Sequence, residues 1–345
     1  MLFRKSLVGV FLPTLFFGSL LLAHSQELPH KQTTRATIER ALPFIEKQGV
    51  NWMKDKKCVT CHHSTFMVWS LNTAAERGFT INTEALTTWN AWARDFRNIQ
   101  GVDNKDFKDE PAHKAFQRSP DVVSQLLLGR PEPLKPISDT EKQWALTMRS
   151  HLLEGQQADG SWKAGGQLPG QKRSLRETDE ATTMWTLLTL NAAQTQDDAV
   201  VRAADKKGAD WLKETTVGES TEWWAVKMMW ARGRGQEKVA STCREKLFQS
   251  QHKEGGWGWL LTDESDALGT GIVLYALLRE GVSRDHESIQ RAVYFLQKTQ
   301  REEGSWPVKG TKKVRREFIE ATATYWGTCW ATLGLLESLP PRIPK

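Results

Sequence analysis

Several things are scarce in this chain, and each scarcity narrows the reading. No stretch alternates convincingly like a β-strand. After residue 22 no apolar run is long enough to span a membrane. Excess charge is small. The formal value of +6 falls to +4 (6 − 2) once Arg4 and Lys5 are set aside with a cleaved leader, and 41 acidic residues are interleaved with the basic ones. A nucleic-acid partner is therefore not expected. No cysteine stands near residue 25, which argues against a lipoprotein. Tyrosine is also rare, three residues against sixteen tryptophans. Tryptophan is costly to bury unless its N–H finds a partner. Such a bias points to repeated tryptophan positions and to an aromatic-lined hollow.

The N-terminus reads as a secretory signal. Arg4 and Lys5 precede an apolar run from Leu7 to Leu22, and Ala23-His24-Ser25 is a small-x-small cleavage site. Residues 1–25 are assigned to the signal peptide and 26–345 to one domain. The expected location is periplasmic or secreted, with no stable membrane span after cleavage.

What is abundant is a phrase that returns: a helix end, a Gln, then Gly-x-Trp. One copy is Phe295-Leu296, Gln300 and Gly304-Ser305-Trp306. Another is Leu153, Gln157 and Gly160-Ser161-Trp162, and a third is Leu247, Gln251 and Gly255-Gly256-Trp257. A looser copy has Phe44-Ile45, Gln48, Gly49 and Trp52. Half a phrase survives at Lys207-Gly208 and Trp211-Leu212. The tryptophan steps are 306 − 257 = 49 and 257 − 162 = 95, the second close to two units. A period of about 48 residues signals an array of supersecondary units.

Each Gly-x-Trp lies between two helical patterns. The first helix of a pair keeps a polar stripe, whereas second helices such as Met184 to Leu190 and Ile272 to Leu278 are apolar nearly all round, as helices buried on both sides are. Six such pairs predict an all-α, single-domain α/α toroid with the second helices around a central hollow. The Trp52, Trp162, Trp257 and Trp306 loops are expected at one end of the ring.

The phrase resembles the QW repeat of squalene-hopene and oxidosqualene cyclases, whose relatives include the protein prenyltransferase β subunits. That resemblance implies that each Gln and Trp ties an outer helix end to the next inner helix. It also implies a hydrophobic or isoprenoid-like ligand. The cyclase acid motif, Asp-x-Asp-Asp, is broken: the nearest segment is Asp263-Glu264-Ser265-Asp266-Ala267, with Ser265 where a catalytic Asp belongs. Asp263 and Asp266 are thus weak acid candidates, and neither is expected to suffice.

Cys58-Val59-Thr60-Cys61-His62-His63 is the sharpest local motif. Cys-x-x-Cys-His is the attachment pattern of c-type haem, with Cys58 and Cys61 as thioether donors and His62 on the iron. His113 is a candidate second axial ligand. Zinc held by Cys58, Cys61, His62 and His63 is the second reading. A Cys58–Cys61 disulfide is the third. Cys243 and Cys329 sit among apolar helix residues and read as core.

Acids recur at inner-helix starts, among them Glu180, Glu222 and Glu320. The helix dipole alone accounts for acids there, but in a toroid these starts converge on one mouth. Basic residues cluster in two matching loops: Lys172, Arg173 and Arg176, and Lys309, Lys312, Lys313, Arg315 and Arg316. They suit haem propionates, phosphates or anionic lipid. Trp69, Trp185, Trp223, Trp224, Trp230, Trp326 and Trp330 are candidates for the lining of the hollow. Four functions compete: a haem-bearing toroid for redox or electron-transfer work on a hydrophobic ligand, with a redox partner; a terpenoid cyclase or prenyltransferase-like enzyme with a divergent acid or zinc site; a non-catalytic lipid- or protein-binding module; and polysaccharide processing, whose signatures the sequence does not carry.

Overall fold

The computed structural model describes residues 27–59, 62–95, 98, 112–130, 138–192, 198–215, 217–314 and 317–340. Residues 1–25, Cys61, Arg315 and Arg316 lie outside the described set, as does the side chain of His113. Among the described residues the chain is helical, with isolated bridges but no named strand.

Outer helices are α1 (Glu27–Lys56), α3 (Thr83–Arg94), α6 (Asp139–Glu154), α8 (Ala199–Trp211), α10 (Glu237–Gln249) and α12 (Glu287–Thr299). Inner helices are α2 (Ser64–Glu76), α5 (Pro120–Leu128), α7 (Leu175–Ala192), α9 (Thr221–Gly233), α11 (Ala267–Arg279) and α13 (Ala321–Ser338). A short α4 (Ala112–Gln117) packs against α5 and α6. The inner helices touch in the order α2, α5, α7, α9, α11, α13 and back to α2, so they close a ring. The protein is an α/α toroid.

Inner helices bury nearly their whole surface because both faces meet other helices. In α13, Tyr325 to Leu336 are all buried, and in α11 so are Ala267 to Leu277. These two pack closest of all. A side chain at Gly271 would strike the α13 backbone at Trp330 and Ala331, and one at Gly334 would strike the Gly271 carbonyl. Each glycine is there to let the backbones approach.

Three copies of the phrase share one geometry. The indole N–H groups of Trp162, Trp257 and Trp306 donate to the carbonyls of Leu152, Leu247 and Leu296, at 2.6, 2.7 and 2.8 Å. Their backbone N–H groups donate to Thr183, Thr270 and Thr328 on the next inner helix. A glutamine amide then reaches both ways. Gln251 donates to Gly255 and to Ser288 of α12, and Gln300 to Gly304 and to Thr37 of α1. The last unit therefore closes the ring onto the first helix.

In the earlier copy Gln156, not Gln157, fills this place: its amide donates to Gly160 and to Ala204 of α8. The donor must stand four residues before the glycine, and the helix-end residue is correspondingly Leu152 rather than Leu153. Trp52 is different again. It lies inside α1, which runs on to Lys56, and its N–H donates to the Cys58 carbonyl at 2.9 Å. Trp52 thus belongs to the Cys58 segment and not to a Gly-x-Trp loop.

Candidate functional site

The starts of the inner helices bring two spaces together at the mouth of the ring. A segment containing Leu168, Pro169 and Gly170 lies across it. Lys172 N–H donates to the Thr311 carbonyl at 2.8 Å and Lys313 N–H to Gly170, so the two basic loops are stitched into one cover. Lys172 holds Asp263 at 2.9 Å, and Lys309 holds Glu264 at 2.9 Å. Leu168 and Trp326 line both spaces and separate them.

The outer space is nearly filled: it spans about 340 Å³ counting its opening to solvent, but only about 10 Å³ of it has room for the centre of a water molecule. His62, Gln167, Gln171, Lys312, Glu320 and Trp326 are among its walls. His62 and His63 form the turn that precedes α2, and both are buried. Their Nδ1 atoms meet at 2.6 Å. His63 is clamped between two rings, Trp52 at 4.0 Å and Tyr325 at 4.4 Å. Burial, then Lys312, lowers the His62 pKa to about 4; burial, then His62, lowers that of His63 to about 2. Both imidazoles are thus neutral at ordinary pH, as metal-binding histidines must be. With its Nδ1 engaged by His63, His62 has Nε2 available to a ligand. Cys58 is half-buried, and burial raises its thiol pKa. Among the described residues no three His, Cys, Asp or Glu side chains converge on a common metal position.

The inner space is the central hollow. It spans about 440 Å³ including its opening, but rings fill it so far that only about 20 Å³ has room for the centre of a water molecule. Phe66, Trp69, Trp185, Trp326 and Trp330 line it; Trp330 lies 5.6 Å from Trp69 and 5.9 Å from Trp185. Of the other expected lining residues, Trp223 is committed to packing and donates to Glu180, and Trp224 donates to the Gly218 carbonyl. Trp230 lies on a different groove.

A polar group sits at the same level. Arg173, 2 % exposed, donates to Glu222 at 2.7 Å and to Ser220 at 3.0 Å. Glu222 also accepts the Trp185 N–H at 3.0 Å. Glu180 accepts Arg176 and Trp223 and is a fully buried brace between helices. Asp121, at the start of α5, accepts Thr182 Oγ1 at 2.8 Å and the Gly165 N–H at 3.2 Å. Burial lifts its pKa to about 6, with Glu222 adding to the rise. Asp121 stands in the first turn of α5, and its place in the hollow follows from α5 being an inner helix.

Asp266 also has a pKa raised to about 6 by burial. Its oxygens are taken, as those of Asp121 are: it caps α11 through Gly269 N–H at 2.7 Å and accepts Trp259 N–H at 3.1 Å. Cys243 and Cys329 are buried in helix packing.

No protein-family model matches the chain, and no curated protein matches it in sequence. Solved structures do match in shape. The unsaturated glucuronyl hydrolase of Bacillus sp. GL1 has a TM-score of 0.56 at 13% identity, covering 89% of this chain and 96% of that one. A possible member of the GH105 family from Klebsiella pneumoniae has a TM-score of 0.59 at 12% identity, covering 95% and 98%. The type II terpene cyclase MstE from Scytonema, in complex with geranylgeranyl dihydroxybenzoate, has a TM-score of 0.54 at 11% identity, covering 90% and 99%. The likeness is one of fold. Both carbohydrate-active and terpenoid-active toroids share it, so the chemistry must be argued from the residues.

Proposed function

We propose that this chain is an exported toroid that carries haem c at the mouth of its ring, bound through Cys58 and Cys61 with His62 on the iron, and that it serves electron transfer or redox chemistry beside the hollow. The observation that carries the reading is the setting of His62. It lines the outer space and its Nδ1 is held by a histidine fixed between two rings; that space has only about 10 Å³ of room, so the cover of basic loops must open to admit the macrocycle at the His62 Nε2. Ligating histidines are commonly oriented through their other nitrogen in this way. Lys312 on the same wall suits a propionate. Haem, when bound, supplies one-electron chemistry. The chain's own part is to orient His62, to cover the mouth with the stitched loops, and to place Trp326 between the two spaces. The test is a haem stain and absorption spectrum of protein exported together with the haem-attachment machinery. Covalent haem that disappears in Cys58→Ala supports the reading; haem-free protein carrying one equivalent of zinc overturns it.

A second reading has its own observation. Asp121 is a buried carboxyl with raised pKa that lines an aromatic hollow, which suits a general acid. In this reading the chain is a toroid enzyme, terpenoid-cyclase-like with a divergent acid, and Asp121 takes the place of the broken Asp263 to Asp266 motif. The resemblance to QW-repeat cyclases and the shared toroid support it. Turnover of squalene by the purified protein, abolished in Asp121→Asn and retained in Asp263→Asn, is the expected result. Turnover that survives Asp121→Asn removes the assignment.

A further inference from the structure

The α8–α9 unit, which lost its phrase, has an opening where the three units with a full phrase are closed. In the sealed units the Gly-x-Trp loop covers the start of the next outer helix: Gln251 reaches Ser288, and Gly255 lies against the Arg291 carbonyl. Between α8 and α10 there is no such loop. Instead a groove runs between the end of α8, at Leu212 and Thr215, and the start of α10, at Gln236 and Val239; it spans about 840 Å³ counting its opening, of which about 410 Å³ has room for the centre of a water molecule. Inner helix α9 forms its floor.

Cations outnumber acids in this groove. Lys206, Lys213, Lys227 and Arg234 line it against one acid, Asp210. Asp210 pairs with Lys206 at 2.8 Å and Lys213 at 2.7 Å, and Arg234 pairs with Asp205. Counting both acids leaves a balance of +2 (4 − 2). Lys227 has no acid within ion-pairing distance; its ammonium donates to the Thr215 hydroxyl at 2.8 Å and lies 4.2 Å above the Trp223 ring. Its pKa is lowered, chiefly by burial. Trp230, 5 % exposed, lines the groove with its indole N–H unpartnered, and the Nε of Arg234 is likewise buried and unpartnered. Unmatched buried donors are costly, so the arrangement favours an acceptor that brings negative charge.

We propose that the groove between α8, α9 and α10 binds a small oxyanion, a phosphate or sulfate group, between Lys227, Arg234 and the Trp230 N–H. It shares no residue with the mouth of the ring and stands whether or not haem is attached.

The test is calorimetric titration of the full chain with sodium sulfate, then inorganic phosphate, at low ionic strength. A saturable one-site isotherm is expected, weakened about tenfold or more in Lys227→Met and by a few-fold in Trp230→Phe, which keeps the ring and removes the donor. Lys253→Met, on an exposed loop, should bind as the parent does. Thermal unfolding without sulfate shows that each variant is folded. If phosphatidylglycerol vesicles displace sulfate, the oxyanion belongs to a lipid headgroup; if they leave it bound, it belongs to a free molecule. Heats no larger than those of chloride, or unchanged affinity in Lys227→Met, would overturn the proposal and leave water as the occupant.

Discussion

The α10–α11 unit and the α8–α9 unit are built from the same parts but end differently. In the first, Trp257 is buried, its indole returns to Leu247, and Gln251 joins the loop to α12. In the second, no tryptophan follows the helix; Trp211 is the last residue of α8 itself, half-buried, with its ring covered by Arg176 at 3.7 Å. The glutamine and the loop glycine are gone, and a cationic groove stands where the loop would lie. The phrase is therefore a seal between neighbouring units.

The comparison breaks most sharply at the tryptophans. Trp257→Ala should cost about 3–5 kcal/mol, since it empties a fully buried site and orphans the Leu247 carbonyl. Trp211→Ala should cost about 1–2 kcal/mol. Urea unfolding of the two variants checks the ratio; equal losses would mean the seal has no special weight.

The raised carboxyls sharpen it next. Asp266 caps α11 in a sealed unit, whereas Asp121, also bound at both oxygens, lines the hollow. A raised native pKa means the folded state holds its proton longer than the unfolded state. Stability therefore falls as pH rises from about 4 to about 6 and then levels. The rise from 3.8 to about 6 corresponds to roughly 3 kcal/mol for Asp121 across that window. Asp121→Asn should flatten the profile by about this amount when unfolding is followed between pH 4 and pH 7. An unchanged slope would show that the Asp121 carboxyl is not held protonated.

The smallest expected effect separates two neighbours. Gln156→Ala should cost about 1–3 kcal/mol because two carbonyls lose a donor. Gln157→Ala, whose amide reaches only the Gly155 carbonyl, should cost about 0.5 kcal/mol or less. The same unfolding assay decides which glutamine belongs to the seal.

The fold was legible because its signal is periodic. Apolar inner helices, polar-striped outer ones and repeated tryptophans all point to one architecture. The one-residue slip at Gln156 arose because two glutamines stand side by side, and only the four-residue distance to Gly160 tells them apart. Trp52 misled for a related reason: a Gln, a Gly and a Trp occur in order, but inside an uninterrupted helix. The site was harder. His62 and Cys58 announce themselves by spacing, while Asp121 looks like any acid at a helix start. Only closure of the ring brings Asp121, Arg173 and Glu222, from three separate helix starts, around one hollow. The groove at Lys227 and Trp230 was equally hidden, since it is made by what the sequence leaves out.

The most direct test of the proposed function is the haem content of purified, exported protein. One covalent haem per chain is expected in the parent, none in Cys58→Ala or Cys61→Ala, and an altered spectrum with the haem still attached in His62→Ala. A folded parent protein with no covalent haem, made beside a control cytochrome that matures normally, would contradict the assignment of Cys58, Cys61 and His62.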